Sequence, residues 1–175
     1  MQVKISLLLF LFLATKGDPK WSDVLSQKVD KTVAKTYATA EYRLEPVVVD
    51  KDLAFSAPLP VNGYLFEVVS DQKGLGYVYV NEAPSMKKMF DYIVLFNSDL
   101  EIINTKVLIY RETHGRQIGT KRWLSQFFGM RPGDRGLLGE NVDGITGATI
   151  SVEGMTTAVN EVLETMGALK AKDLL

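Results

Sequence analysis

The 175-residue chain contains no cysteine and a single histidine, His114. The first absence excludes disulfides, thiolate metal sites, cysteine nucleophiles and thiol-linked lipid anchors. The second excludes histidine-cluster metal centres. Charge of one sign is also missing: 20 basic against 21 acidic residues leave a formal net charge of -1. There is thus no field that would recruit nucleic acid or an acidic substrate. No apolar run reaches the roughly 20 residues that span a bilayer. The run from Ile5 to Ala14 is half that length. It follows Lys4 and leads into small and polar residues up to Gly17, the layout of a signal peptide. The expectation is export, to the periplasm or the outer face of the cytoplasmic membrane. Residues 1–17 would be the signal or a short anchor, and 18–175 one domain, a length suited to one core.

What is present reads as helices at the ends and strands between. Trp21, Val24, Leu25, Val29, Val33 and Tyr37 fall at helical spacing behind Ser22 or Asp23, either of which suits an N-cap. Pro46, Pro58 and Pro60 interrupt the stretch from Glu45 to Pro60 and leave at most Val47 to Val49 as a strand. NGYLFEVVS and LGYVYV flank Asp71-Gln72-Lys73-Gly74 as a hairpin. Two more strands, Asp91 to Phe96 and Ile102 to Tyr110, join across Asn97-Ser98-Asp99, for an antiparallel sheet of about four or more strands. A short helix is expected over KRWLSQFFG, between a Thr120 cap and Gly129. The last helix, Ser151 to Gly167, gathers Val152, Met155, Val159, Val162, Leu163 and Met166 on one face. The fold class is α+β.

Three motifs fail on their spacing. Gly74-Leu75-Gly76 starts a dinucleotide fingerprint, but Tyr79 stands where the third glycine belongs and the segment reads as strand. GRQIGTK puts three residues, not four, between its glycines and its threonine before its lysine, so it is no nucleotide triphosphate loop. Asp134 and Glu140 sit in a glycine-rich turn without fixed geometry for a metal.

The stretch D-G-I-T-G-A-T, Asp143 to Thr149, is different. On residue types alone, Thr146, Thr149 or Ser151 caps the last helix while Gly147 serves the turn. The order of residues resembles the acceptor motif of the FMN-binding domain family: Asp, two variable residues, Ser or Thr, then Gly, Ala, Thr. That family includes the FMN-carrying subunits of the sodium-translocating NADH:quinone reductase and of the Rnf electron-transport complex. The resemblance runs from about Gly63 to Met166, through KVLIYRETHGRQIGTKRWLSQFFGM, where relatives have a strand, a Glu-Thr-Pro-Gly-type loop and an aromatic helix. The chain departs from it at His114, which replaces the proline. The resemblance implies covalent FMN, joined through its phosphate to Thr149 by a flavin transferase that draws on FAD. It implies Asp143, Thr146, Gly147 and Ala148 as the rest of the motif, and flavin contacts from Glu112, Thr113 and Gly115.

The chemistry suits these residue types. A threonine hydroxyl is a weak nucleophile that must enter a foreign active site, so Gly147 and Ala148 would leave it accessible. A helix start then favours the attached phosphate. Trp123, Phe127, Phe128, Leu137 and Leu138 are candidate walls for the ring, with Leu137 and Leu138 as cofactor-binding choices. Asp143 would orient the turn or aid recognition by the transferase. The expected function is an electron-transfer flavoprotein with redox donor and acceptor proteins, either free or in a membrane electron-transport complex. The alternatives are an FMN-dependent reductase of a quinone or other small acceptor, and a non-redox binding module.

Overall fold

The structure, a computed structural model, describes residues 21–47 and 64–175. The signal segment 1–17, Val48, Val49, Pro58 and Pro60 lie outside the described residues. Helix α1 (Asp23–Thr36) starts where Ser22 Oγ accepts the Leu25 N–H at 3.3 Å. It buries Leu25, Val29 and Val33. Val24, expected on the same face, is 56% exposed, because its position turns away from the Leu25–Val29–Val33 stripe. Tyr37 closes the helix and donates its hydroxyl to the Phe96 carbonyl at 2.6 Å, tying α1 to the sheet. Burial pushes that phenol well above its ordinary range.

The sheet has five strands in chain order: β1 (Arg43–Pro46), β2 (Tyr64–Ser70), β3 (Lys73–Pro84), β4 (Met89–Asn97) and β5 (Ile102–Ile109), all pairs antiparallel. β1 lies just before the expected Val47–Val49 run. It is a short edge strand with Arg43 and Glu45 paired along it at 2.6 Å, a position where Pro46 is tolerated. The β2–β3 turn is tighter than expected: only Asp71 and Gln72 form it, at φ 48° and 62°. Two left-handed residues in a two-residue loop match the twist of a hairpin. Lys73 and Gly74 already belong to β3. Gly76, at φ +147°, lies so close to the Phe96 carbonyl and Asn97 that a Cβ would overlap backbone, so only glycine lets β3 and β4 approach there.

β4 is buried from Phe90 to Phe96 because helices cover both faces. Phe90, Tyr92, Val94 and Phe96 face helix α3 (Thr149–Lys170), while Ile93 and Leu95 join Val68, Val78, Val80 and Leu108 under α1. The short helix α2 (Lys121–Leu124) begins at Thr120, whose Oγ1 accepts the Trp123 N–H at 3.4 Å, and tightens into a 3₁₀ turn through Phe127. The fold is thus α+β, with α1 and α3 on opposite faces of one antiparallel sheet.

Candidate functional site

α3 begins at Thr149, two residues before the expected start, and runs on to Lys170. Its N-cap is Ala148, and no side chain makes the cap hydrogen bond. The capping reading of Thr146, Thr149 and Ser151 is therefore overturned. Thr146 and Thr149 are exposed, and Ser151 is turned inward. The first-turn N–H groups have no intrahelical partner, so this helix start offers donors and the positive end of the dipole to an anion.

Gly147 holds φ +78° with no atom within 4 Å of where a Cβ would stand. Its backbone conformation needs glycine, and the space above it is open. Ala148 is small for a different reason than access. It is 5% exposed, and a Cβ on Gly115 would come within 2.9 Å of the Ala148 Cβ and 2.8 Å of the Tyr110 hydroxyl. Gly115, at φ +75°, thus brings the loop after β5 directly against the motif.

Beneath the helix start lies a set of hydroxyls that sequence reasoning missed. Ser151 Oγ is 2.6 Å from Ser85 Oγ and 2.9 Å from the Tyr110 hydroxyl. Ser85 belongs to the β3–β4 loop, so three segments distant in sequence meet under Thr149. No local pattern marks this, since serine at the third helical position also suits solvent. Glu112 fixes the same loop from outside: its Oε1 accepts the N–H groups of Lys87 at 2.6 Å and Lys88 at 2.9 Å. These donors, the Lys87 N–H first, hold its carboxyl below the usual carboxylate range. Thr113 and His114 are exposed on the loop tip.

On the other side, the Asp143 main chain anchors the turn. Trp123 Nε1 donates to the Asp143 carbonyl at 2.8 Å, and Gln126 Oε1 accepts the Asp143 N–H at 2.8 Å. Among the described residues no hydrogen bond or ion pair engages the Asp143 carboxylate, so its side chain does not orient the turn. Trp123 and Phe127 are core residues in edge contact at 5.4 Å, not walls of an open site. Phe128 is half-buried against the same core.

Leu137 and Leu138 are exposed at 41% and 39%, as is Ile150 at 48%, next to Thr149. Their loop is rigidly held. Asn141 Oδ1 accepts the Leu137 N–H at 2.7 Å. The buried Asn160 of α3 binds both main-chain groups of Gly136, accepting at 2.8 Å and donating at 2.9 Å. Asn160 could have been noticed in the sequence as a polar residue among the apolar positions of α3. The motif, the Glu112–Gly115 loop and a loop of exposed leucines thus converge on one helix. The donors, open space and hydroxyl at its start fit a phosphate-linked group at Thr149, with the exposed Ile150 beside it, whereas the leucine loop meets α3 farther along, at Thr156 and Asn160.

A concavity of about 670 Å³ lined by Asp99, Arg131, Pro132, Gly133, Gly167, Lys170 and Ala171 lies at the far end of α3 and shares no residue with the motif. Among the described residues no group of three or more His, Asp or Glu side chains could hold a metal ion. Residues 86–164 match the sequence model of a family described as the FMN-binding domain. The match takes in β4, β5, the Glu112–Gly115 loop, α2, the motif and most of α3. No curated protein matches the chain.

Proposed function

From the match of residues 86–164 to the FMN-binding domain, we propose that the chain is an exported electron-transfer flavoprotein whose FMN is joined through its phosphate to Thr149. The observation that carries this reading is the placement of Thr149: exposed, first in α3, and not serving as the cap of a helix that has no side-chain cap. A capping threonine would have its hydroxyl engaged by its own helix. This one is free to react.

In the attachment step, catalysed by a flavin transferase, the Thr149 hydroxyl oxygen forms a bond to the FMN-side phosphorus of FAD. The bond from that phosphorus to the AMP oxygen breaks, AMP leaves, and the hydroxyl proton passes to a base of the transferase. Gly147 contributes the open approach. Ser151, Ser85 and Tyr110 hold the main chain of the first turn in place, so Thr149 is presented from a fixed helix start. The exposed Asp143 carboxylate, left without an internal partner, is available for recognition by the transferase. After attachment, the first-turn N–H groups face the phosphodiester negative charge. FMN, when bound, supplies one-electron chemistry, while the protein supplies attachment and position. Redox donor and acceptor proteins, alone or within a membrane electron-transport complex, would exchange electrons with it.

The test is the intact mass of the protein from cells that also make a flavin transferase, beside a Thr149→Ala control. A gain equal to FMN less one water, absent from the control, is the expected result. An unmodified wild-type mass without in-gel fluorescence would overturn the reading.

A further inference from the structure

Helix α1 segregates its charges. At about 100° per residue, Lys28, Lys31 and Lys35 fall within roughly 60° of one another, and Asp23 and Asp30 lie more than about 100° from the centre of that stripe. Val24, 56% exposed, falls inside the stripe. Lys106 of β5 extends it. Lys106 pairs with Ile93, and Asn104, two residues earlier, donates to Thr36 Oγ1 at 2.8 Å, so this face of β5 runs alongside α1. All four lysines are exposed, and none closes a salt bridge among the described residues. The three α1 lysines and partial burial lower the Lys106 pKa, burial first. Like charges gathered with no ion-pair partner among the described residues cost stability in the isolated protein.

We propose that this stripe, Lys28, Lys31, Lys35 and Lys106 around Val24, is a docking surface for a bilayer of anionic phospholipids. Lysine is a point charge on a long stem, suited to diffuse headgroup charge rather than to the fixed fork geometry of a carboxylate partner. An exposed valine among lysines suits the headgroup boundary, where apolar groups are also accepted. α1 also follows the apolar run Ile5–Ala14 closely in sequence. It covers the sheet face opposite α3, so a membrane on this side would leave Thr149 facing away from the lipid.

The test is co-sedimentation of the full chain with phosphatidylcholine vesicles, with and without phosphatidylglycerol, at low and high salt. Phosphatidylglycerol is expected to raise partitioning of the wild type by about tenfold or more, and salt to remove the gain. The Lys28→Gln/Lys31→Gln/Lys35→Gln/Lys106→Gln variant should lose that gain while matching the wild type on neutral vesicles. The four Lys→Arg changes should retain it. Thermal unfolding of the variants at or above the wild-type temperature separates binding from folding. A gain that survives in the glutamine variant, or no gain for the wild type, would overturn the proposal. So would a wild type that ignores anionic vesicles yet binds an acidic protein through the same four lysines.

Discussion

At the scale of single residues, Thr149 separates two roles that share one position in sequence. A capping threonine replaced by alanine costs about 1 kcal/mol. Thr149 is exposed and Ala148 occupies the cap position, so Thr149→Ala should change the unfolding free energy by less than about 0.5 kcal/mol. Urea denaturation of the unmodified proteins measures this. A loss near 1 kcal/mol would restore the capping role. The motif itself was legible in the sequence because it depends on the order of neighbouring residues. The reason for each small residue was not. Gly147 is required by its own backbone angle, whereas Ala148 is required by Gly115, which lies 33 positions earlier. No local window contains that contact.

At the scale of elements, the periodicity of α1, β2 through β5 and α3 carried the fold class. It worked because each of these elements buries one face or both against the core. β1 escaped because four residues at a sheet edge bury only Leu44 in part, which leaves no pattern to read. The candidate site was legible along the chain but not across it. Ser85 and Lys87–Lys88 meet the motif helix and Glu112 only through tertiary packing. That junction has a pH signature. The Glu112 carboxyl is held below its ordinary range by hydrogen bonds that form on folding, so its contribution is present above the unfolded-chain value and fades as pH falls through the lower folded value. In acid, the Lys87 and Lys88 amides should therefore lose hydrogen-exchange protection before those of central β4, after correction for intrinsic rates. Glu112→Gln, which keeps an acceptor without the titration, should flatten that difference. Protection at Lys87 and Lys88 that tracks β4 at every pH would count against the clamp.

At the scale of the whole molecule, α3 must lie close to the sheet for its first turn to meet Ser85, Tyr110 and Gly115. Gly154 permits that approach, since a Cβ there would overlap the Pro84 carbonyl oxygen. Two effects oppose each other in Gly154→Ala. Helix propensity favours alanine by about 1 kcal/mol, while overpacking against fixed backbone costs about 1–3 kcal/mol. The obstacle is main chain and not a flexible side chain, so the second effect should win. Thermal unfolding should show a net loss, and a gain would mean that α3 shifts without penalty. The strand order also bears on biogenesis. Space and synthesis run in the same direction, so the sheet can zip up hairpin by hairpin, from largely local contacts. α3 comes last and docks against strands already in place. Thr149 acquires its native surroundings only at that closing event, and a transferase that requires those surroundings would act as an inspector, labelling finished molecules and passing over incomplete ones.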